Sequence, residues 1–454
     1  MLTTVSLMGG PDKSRGFYHW GTLHLLPVYA ALELAGKLGF FPHPWRQAYY
    51  DILGGDFERV YVVGRLVSVL MGLLGLLAVY LIGLEIGDAR AGVLAALLVA
   101  VSPVHLLAST QIRVDLTMAA LTTLAVWLGL RASADSRPRV WFWLGLASGG
   151  AIVAKYTALV IALPVVMTAA WPRRHSRRAI GSLAAGLLIG ILAGVILWID
   201  VLGDIARQVR EALRAAGAAP ESFRISPVEL LRRHGVDWVR FGVGPVAVLP
   251  ALWGLWEMGR RRTHSDRILL AWVAGGLATL IAMRWPLLRY QAPLIPAMAI
   301  ASAVALGRLR SRWRWPATFA TILFPLAASL AQVRFMRSEH PANLMLPVVL
   351  ETVPAGAPIA RLAAEIPPLD TKVYPMGPNP FLDDITRDPP AWVLTLDLPD
   401  QPYPAASQRL LKTRYERVAG FRLEPSVAWA TFGEAGAPHD WKYTHPAVVL
   451  YRRR

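Results

Sequence analysis

Ser109-Thr-Gln-Ile-Arg-Val-Asp115 is a short polar break between two apolar runs, roughly 90 to 108 and 115 to 131, too long and too uniform for anything but membrane. An ionisable pair at that depth, Arg113 with Asp115, costs roughly 2.5 to 3.5 kcal/mol per residue on a lenient insertion scale unless it is paired or hydrated. Interfacial loops carry such charges for no further purpose, but Lys155 and Arg289 recur at the same predicted membrane face, which makes the break a candidate site.

Composition agrees with the membrane reading. Of 454 residues, 55% are hydrophobic and only 17% charged, and the mean hydropathy is +0.41, whereas a soluble globular enzyme carries nearer one quarter charged residues. The 17 Trp and 13 Tyr fit aromatic belts at two water interfaces. The absence of cysteine removes disulfides, thiolate nucleophiles and Cys-based metal sites. A net charge of +17 raises the question of nucleic acid, but the arginines fall in short loops between apolar runs, where they set topology and attract anionic headgroups. The first twenty residues lack a charged n-region followed by an apolar core, so no cleavable signal is expected.

Ten apolar runs long enough, or nearly so, to cross about 30 Å of hydrocarbon follow one another. They cover roughly 59–86, 90–108, 115–131, 140–155, 157–171, 179–200, 239–258, 268–284, 287–306 and 316–335. Lys155-Tyr156 separates two short runs, and reads as a tight turn at a membrane face or as the break in one bent helix. Arginines at 131, 137 and 139, at 173, 174, 177 and 178, at 260, 261, 262 and 267, and at 308, 310, 312 and 314 fall on one side when the runs are counted as spans. The positive-inside rule makes that side cytoplasmic. The Arg113/Asp115 break, the Lys155-Tyr156 turn, the loop 201–238, the turn 284–289 and everything after about Arg337 are then expected outside.

Residues 21–41 are apolar with His24, Pro27, Glu33 and Lys37 scattered among them, and read as a span or, slightly favoured, as a helix lying on the outer interface. Residues 206–216 have the composition of an amphipathic helix on the outer surface. After Arg337 prolines cluster and short strand-like pieces appear, Trp392–Leu398 and Ala447–Tyr451. The expected organisation is an N-terminal segment 1–58 with its interfacial helix, a multi-span domain 59–337 and a soluble extracytoplasmic α+β domain 338–454. The fold class is thus an all-α polytopic membrane protein, with about 10–11 transmembrane or interfacial helices, and a small C-terminal α+β domain. No internal repeat is apparent, which counts mildly against a transporter built from inverted halves.

The unusual polar residues gather at one rim. Arg113 and Asp115 begin one run, Lys155 and Tyr156 separate two others, and Arg289-Tyr290 opens a further run through Gln291 to Pro296. One carboxylate among fixed cations at a lipid interface suits a particular chemistry, in which the cations hold a phosphate while the carboxylate takes a proton from an attacking hydroxyl or helps hold a divalent metal. Against this, Lys155 is equally well read as snorkelling and Arg289 as a headgroup anchor.

Several stretches in order resemble the GT-C glycosyltransferases that use polyprenyl-phosphate-linked sugars, a group including the protein O-mannosyltransferases and the aminoarabinose transferases. Phe17-Tyr-His-Trp-Gly-Thr-Leu23 resembles the lead F-x-H-Y-P-S-L, and Val63–Gly72 resembles x-x-R-L-x-S-x-L-x-G. Ala100-Val-Ser-Pro103 through Arg113-Val-Asp115 is similar to A-L-S-P … R-x-D. Gly145 to Tyr156 is similar to G-L-A-x-G … T-K-Y, and Arg289–Pro296 to R-Y-x-x-P-x-x-P. Each motif is weak alone; together they cover most of residues 15–310. The resemblance implies inverting transfer on the outer face of the cell membrane, from a polyprenyl-phosphate-linked sugar to a glycan, lipid or protein acceptor of the cell envelope. It assigns Asp115 to the family's second functional carboxylate, Lys155 to a cation near the donor phosphate and Arg289 to a phosphate contact. Arg113, Tyr156, Tyr290 and His19 join them as candidate substrate-binding residues.

One departure bears on mechanism. Family members carry an acidic pair in the first outer loop, after an initial transmembrane helix; here Asp12 alone precedes Phe17, in a Gly-Gly-Pro-Asp turn. Asp12 is a candidate substitute base, and the expectation is that the N-terminal helix and acidic loop are lacking. His439-Asp-Trp-Lys-Tyr-Thr-His445 reads as a polar-aromatic loop rather than a metal site, and His19 and His24 as interfacial residues rather than ligands. No cofactor is specified beyond the option of a divalent metal. The competing functions are a lipid-linked sugar transporter or flippase, which needs polar residues deep within several spans, and a GT-C relative without activity.

Overall fold

The computed structural model describes residues 22–41, 57–171, 176–195, 226–283, 287–361, 369–380, 385–396, 404–432, 437–442 and 445–454. It is a polytopic helical membrane protein with a small sheet region near the C-terminus. In chain order the first helices are α1 (Thr22–Lys37), α2 (Phe57–Ile86), α3 (Ala89–Ala100), α4 (Pro103–Ser109), α5 (Val114–Ala134), α6 (Pro138–Ala154), α7 (Leu159–Ala170) and α8 (Arg177–Val195). Then come α9 (Pro227–Asp237), α10 (Pro245–Arg261), α11 (His264–Met283), α12 (Ile295–Gly307), α13 (Ser311–Arg337) and α14 (Pro341–Thr352). Every one of the ten apolar runs carries helix, but not every helix is a full crossing. Among the described residues five stretches are long and apolar enough, namely Arg59–Ile86, Val114–Ala134, Arg177–Gly194, His264–Met283 and Ser311–Thr352. A sixth is added if α3 and α4 count as one broken span. Tyr156–Ala170 and Ile295–Gly307 are apolar but shorter, at 1.5 Å per residue, than the hydrocarbon they would have to cross.

One expected run is corrected, while the break expected at Lys155-Tyr156 is present. Residues 90–108 are not one helix: α3 and α4 meet at an angle of 66°. Pro103 sits at the first position of α4, where it cannot donate to the helix before it, and it forces Ser102 into extended backbone (φ −71, ψ 126). At the second junction α6 ends on Lys155, itself extended (φ −160, ψ 122), and a single 3-10 turn, Tyr156–Ala158, leads into α7. Lys155 thereby occupies the C-cap of α6, where the helix dipole favours a cation.

Small residues set the helix packing, as they must where lipid supplies no hydrophobic drive between helices. Gly145 and Gly149 of α6 face Gly186 and Gly190 of α8 so closely that a Cβ at Gly145 would collide with the Leu183 carbonyl, and one at Gly186 with the Phe142 carbonyl. In α1, His24, Leu25, Val28 and Leu32 form one buried stripe, so this helix packs inward along a face rather than only lying on a lipid surface. The amphipathic helix expected at 206–216 lies outside the described residues. The one described in that loop is α9, started by Ser226, whose hydroxyl accepts from the Glu229 N–H (3.2 Å), with Pro227 at its first position.

The chain divides into two compact units, residues 1–46 with 58–326 and residues 47–57 with 327–454. The second contains β1 (Ile359–Ala360), β2 (Trp392–Leu396), α15 (Ala405–Arg414), β3 (Tyr415–Phe421), β4 (Ser426–Val427), β5 (Ala430–Thr431), the single turn α16 (His439–Lys442) and β6 (Val448–Arg453). Four strands form a sheet in the order β1-β2-β6-β3, parallel only between β1 and β2. The two strand-like pieces legible in sequence are adjacent, paired Val393 to Tyr451 and Leu396 to Val448. β2 is buried along its whole length because both faces are covered: Met345 and Val349 of α14 pack with Leu394 and Leu396, while Leu410 and Leu411 of α15 pack with Val393.

Candidate active site

Three segments distant in sequence deliver the polar group. Asp115 lies in the first turn of α5, where the helix dipole favours an anion. Lys155 caps α6. Arg289 and Tyr290 lie in a 3-10 turn, Leu288–Gln291, ahead of α12. Lys155 Nζ donates to Asp115 Oδ1 at 2.5 Å, and Arg289 Nε stands 3.8 Å from Oδ2, an ion pair longer than a hydrogen bond. The Tyr290 ring lies beside both cations, its centroid 4.4 Å from Lys155 Nζ and 5.4 Å from the Arg289 guanidinium carbon. Asp115 is 5% exposed, which only such pairing makes tolerable.

The scaffold behind these residues is built from small and polar side chains. The break that precedes α5 lies against a stripe on α2 of Gly64, Ser68 and Gly72, spaced four apart: Ile112 covers Gly64 and the Ser68 hydroxyl donates to the Gln111 carbonyl (2.8 Å). From the other side α1 grips α5, His24 Nδ1 lying 2.8 Å from Thr117 Oγ1. Leu23, packed with Met118, Ala151, Ala154 and Ala158, fixes the ends of α5 and α6 together, and the Thr157 hydroxyl bonds the Met118 sulfur at 3.6 Å. The Arg289 turn is tied down by Gln291, whose Nε2 donates to the His234 carbonyl of α9 at 3.1 Å.

Asp115, Lys155, Arg289 and Tyr290 therefore meet. Arg113, in extended backbone two residues before Asp115 (φ −138, ψ 145), adds a third positive charge within electrostatic reach of it. Tyr156 does not join them: it is 51% exposed and makes no described contact with Asp115. Asp12 and His19 lie outside the described residues. His24, expected at the interface, is instead 1% exposed and packed against α5, because its ring nitrogen finds a hydroxyl there. Among the described residues no group of three or more His, Asp or Glu side chains converges as a metal site. Thr117, Gln291 and His234 were not singled out in the sequence. Their only signal there is polarity within or beside apolar runs, which does not say what each touches.

A carboxylate with one cation at each oxygen, on an aromatic shelf, is a place where an anion can be held and a proton taken up. Residues 44–198, which include Arg113, Asp115 and Lys155, match the family described as dolichyl-phosphate-mannose-protein mannosyltransferase. No curated protein matches the chain. Among solved structures it is similar to ArnT from Cupriavidus metallidurans in the apo state, with 21% identity and a TM-score of 0.44 over 78% of this chain and 64% of that one. Against the same protein bound to undecaprenyl phosphate the values are 16%, 0.48, 95% and 88%. Against the apo oligosaccharyltransferase of Archaeoglobus fulgidus they are 15%, 0.48, 84% and 62%. The chain thus spans just under two thirds of the first and third of these structures. The family match falls on the segment that carries Arg113, Asp115 and Lys155.

Proposed function

We propose that this protein is a membrane glycosyltransferase that moves a sugar from a polyprenyl-phosphate donor to a cell-envelope acceptor at the outer face of the membrane. The observation that carries this reading is the meeting of Asp115 with Lys155 and Arg289, three residues from three segments, at the ends of apolar helices. Lys155 and Arg289 hold the donor phosphate and stabilise the charge it gains on leaving. Asp115 takes the proton of the acceptor hydroxyl while the hydroxyl oxygen bonds to the anomeric carbon; the bond from that carbon to the phosphate oxygen breaks, and polyprenyl phosphate departs with the electron pair. A single displacement of this kind inverts the anomeric centre. The arginine clusters at 131–139, 173–178, 260–267 and 308–314 support an outward-facing site, since they belong on the cytoplasmic side.

The test is reconstitution of the purified protein with a labelled polyprenyl-phosphate sugar, together with mass spectrometry of cell-envelope glycans from cells with and without the gene. Release of polyprenyl phosphate and loss of one saccharide class are expected. Identical glycan profiles and no release from any donor would rule the reading out.

A further inference from the structure

The two cations assigned to phosphate are already engaged with a carboxylate. Lys155 takes one oxygen of Asp115 and Arg289 faces the other, the pattern that two oxygens of a phosphate would adopt between the same groups. From this geometry we propose that Asp115 holds the phosphate seat until the donor arrives, so that its carboxylate and the donor phosphate compete for Lys155 and Arg289, and donor binding is what frees Asp115 to act as base. The inference rests on the reading of these cations as a phosphate site and adds to it an order of events: donor first, acceptor activation second.

Three features make the exchange mechanically sensible. The backbone carrying Asp115 is clamped, through Thr117 to His24 and through Gln111 to Ser68, so the carboxylate stays while the cations move. Lys155 sits on a flexible four-carbon stem, and the Arg289 contact, at 3.8 Å, is the looser of the two. Tyr290 lies beside both cations, so its ring face attracts them whether the anion between them is carboxylate or phosphate. While Lys155 is hydrogen-bonded to Oδ1, that oxygen is committed; once phosphate has taken the ammonium, both carboxylate oxygens are open to a hydroxyl proton. Until the donor binds, Oδ1 is therefore unavailable to a hydroxyl proton.

The proposal makes a counterintuitive demand on affinity. Binding of undecaprenyl phosphate, with undecaprenol as phosphate-free control, is to be measured in lipid nanodiscs for the wild type, Asp115→Asn and Asp115→Glu. Asp115→Asn, which removes the competing charge at nearly constant shape, is expected to bind undecaprenyl phosphate about tenfold tighter than the wild type. Asp115→Glu, which keeps the charge, binds no tighter than the wild type, and undecaprenol affinity is the same for all three. Should the Asn variant fail to fold, Asp115→Ser tests the same sign. Equal or weaker phosphate binding by the neutral variants, with a wild type that prefers the phosphate over the alcohol, would overturn the exchange and leave the phosphate site standing. A wild type that does not distinguish phosphate from alcohol would remove the phosphate site itself and the exchange with it.

Discussion

Two aspartates in the bundle look alike by burial, position and basic partner and differ in what else holds them. Asp115 and Asp266 are 5% and 3% exposed, each lies in the first turn of a long helix, and each pairs with a basic side chain. Asp266 is satisfied by its own neighbourhood. It accepts from the Thr263 N–H (3.1 Å) and hydroxyl (2.7 Å) and from Arg261 (2.7 Å), while Thr263 accepts from the Asp266 N–H (3.2 Å). That reciprocal arrangement is a helix start, spelled out within six residues. Asp115 receives no described backbone donor; its partners come from 40 and 174 positions further along the chain, and both are side chains on long stems. A carboxylate held by backbone is structural. One held only by side-chain cations on long stems has partners that a substrate anion can also engage, as the proposed exchange requires.

The sharpest way to break this contrast is to neutralise each aspartate in turn. Asp115→Asn is expected to lower sugar transfer by about a hundredfold or more, the loss of a positioned base, with membrane insertion intact. Asp266→Asn is expected to leave turnover per folded molecule unchanged; transfer assays on both variants decide it, and equal losses would erase the distinction. Next in size, Arg289→Gln should reduce kcat/KM for the lipid-linked donor about tenfold by removing a charged contact to phosphate, visible as a raised donor KM. An unchanged donor KM would confine Arg289 to packing. Asp266→Asn should instead appear in thermal unfolding, as a loss of about 1–2 kcal/mol for a damaged cap.

The smallest effect concerns a third carboxylate, Glu229 on α9, which tests the same idea at the surface. Hydrogen bonds from Arg232 and Arg233 pull it down from 4.5 to about 2. Because the folded value is depressed, its support for α9 is present above about pH 4.5 and is lost as pH falls through about 2. Amide exchange over Pro227–Asp237 should therefore quicken slightly across that window and Glu229→Gln should flatten the response. Solvent screening keeps the change small.

Much of the fold was legible because the bilayer leaves a chain few options: backbone groups without water must be satisfied within a helix, so a long apolar run commits itself locally. The runs 59–86, 115–131 and 268–284 illustrate this, each carrying one long helix. The bend at Ser102-Pro103 was in principle readable from the proline, yet it sits within an apolar run that hydropathy alone joins into one helix. The helix α9 went unread because its signal, Ser226-Pro-Val-Glu229, is a local capping pattern inside a long polar loop. In the second unit the strands Trp392–Leu396 and Val448–Arg453 were foreshadowed by β-branched and aromatic runs, whereas the two-residue β1 is too short to carry a periodic signal.

By itself the sequence determined which residues were costly to hold near lipid, because the expense of a charge beside hydrocarbon depends on its neighbours along the chain. It singled out Asp115, Lys155 and Arg289 on that ground. It also grouped Tyr156 with them, whereas one residue past the Lys155 break the chain enters a 3-10 turn that leaves Tyr156 exposed. Which charges meet, that Tyr290 lies beside both cations, and that His24 turns inward to Thr117 were decided by tertiary packing alone. Those contacts join segments up to 174 residues apart, a separation over which the order of residues along the chain does not say which helix ends will meet.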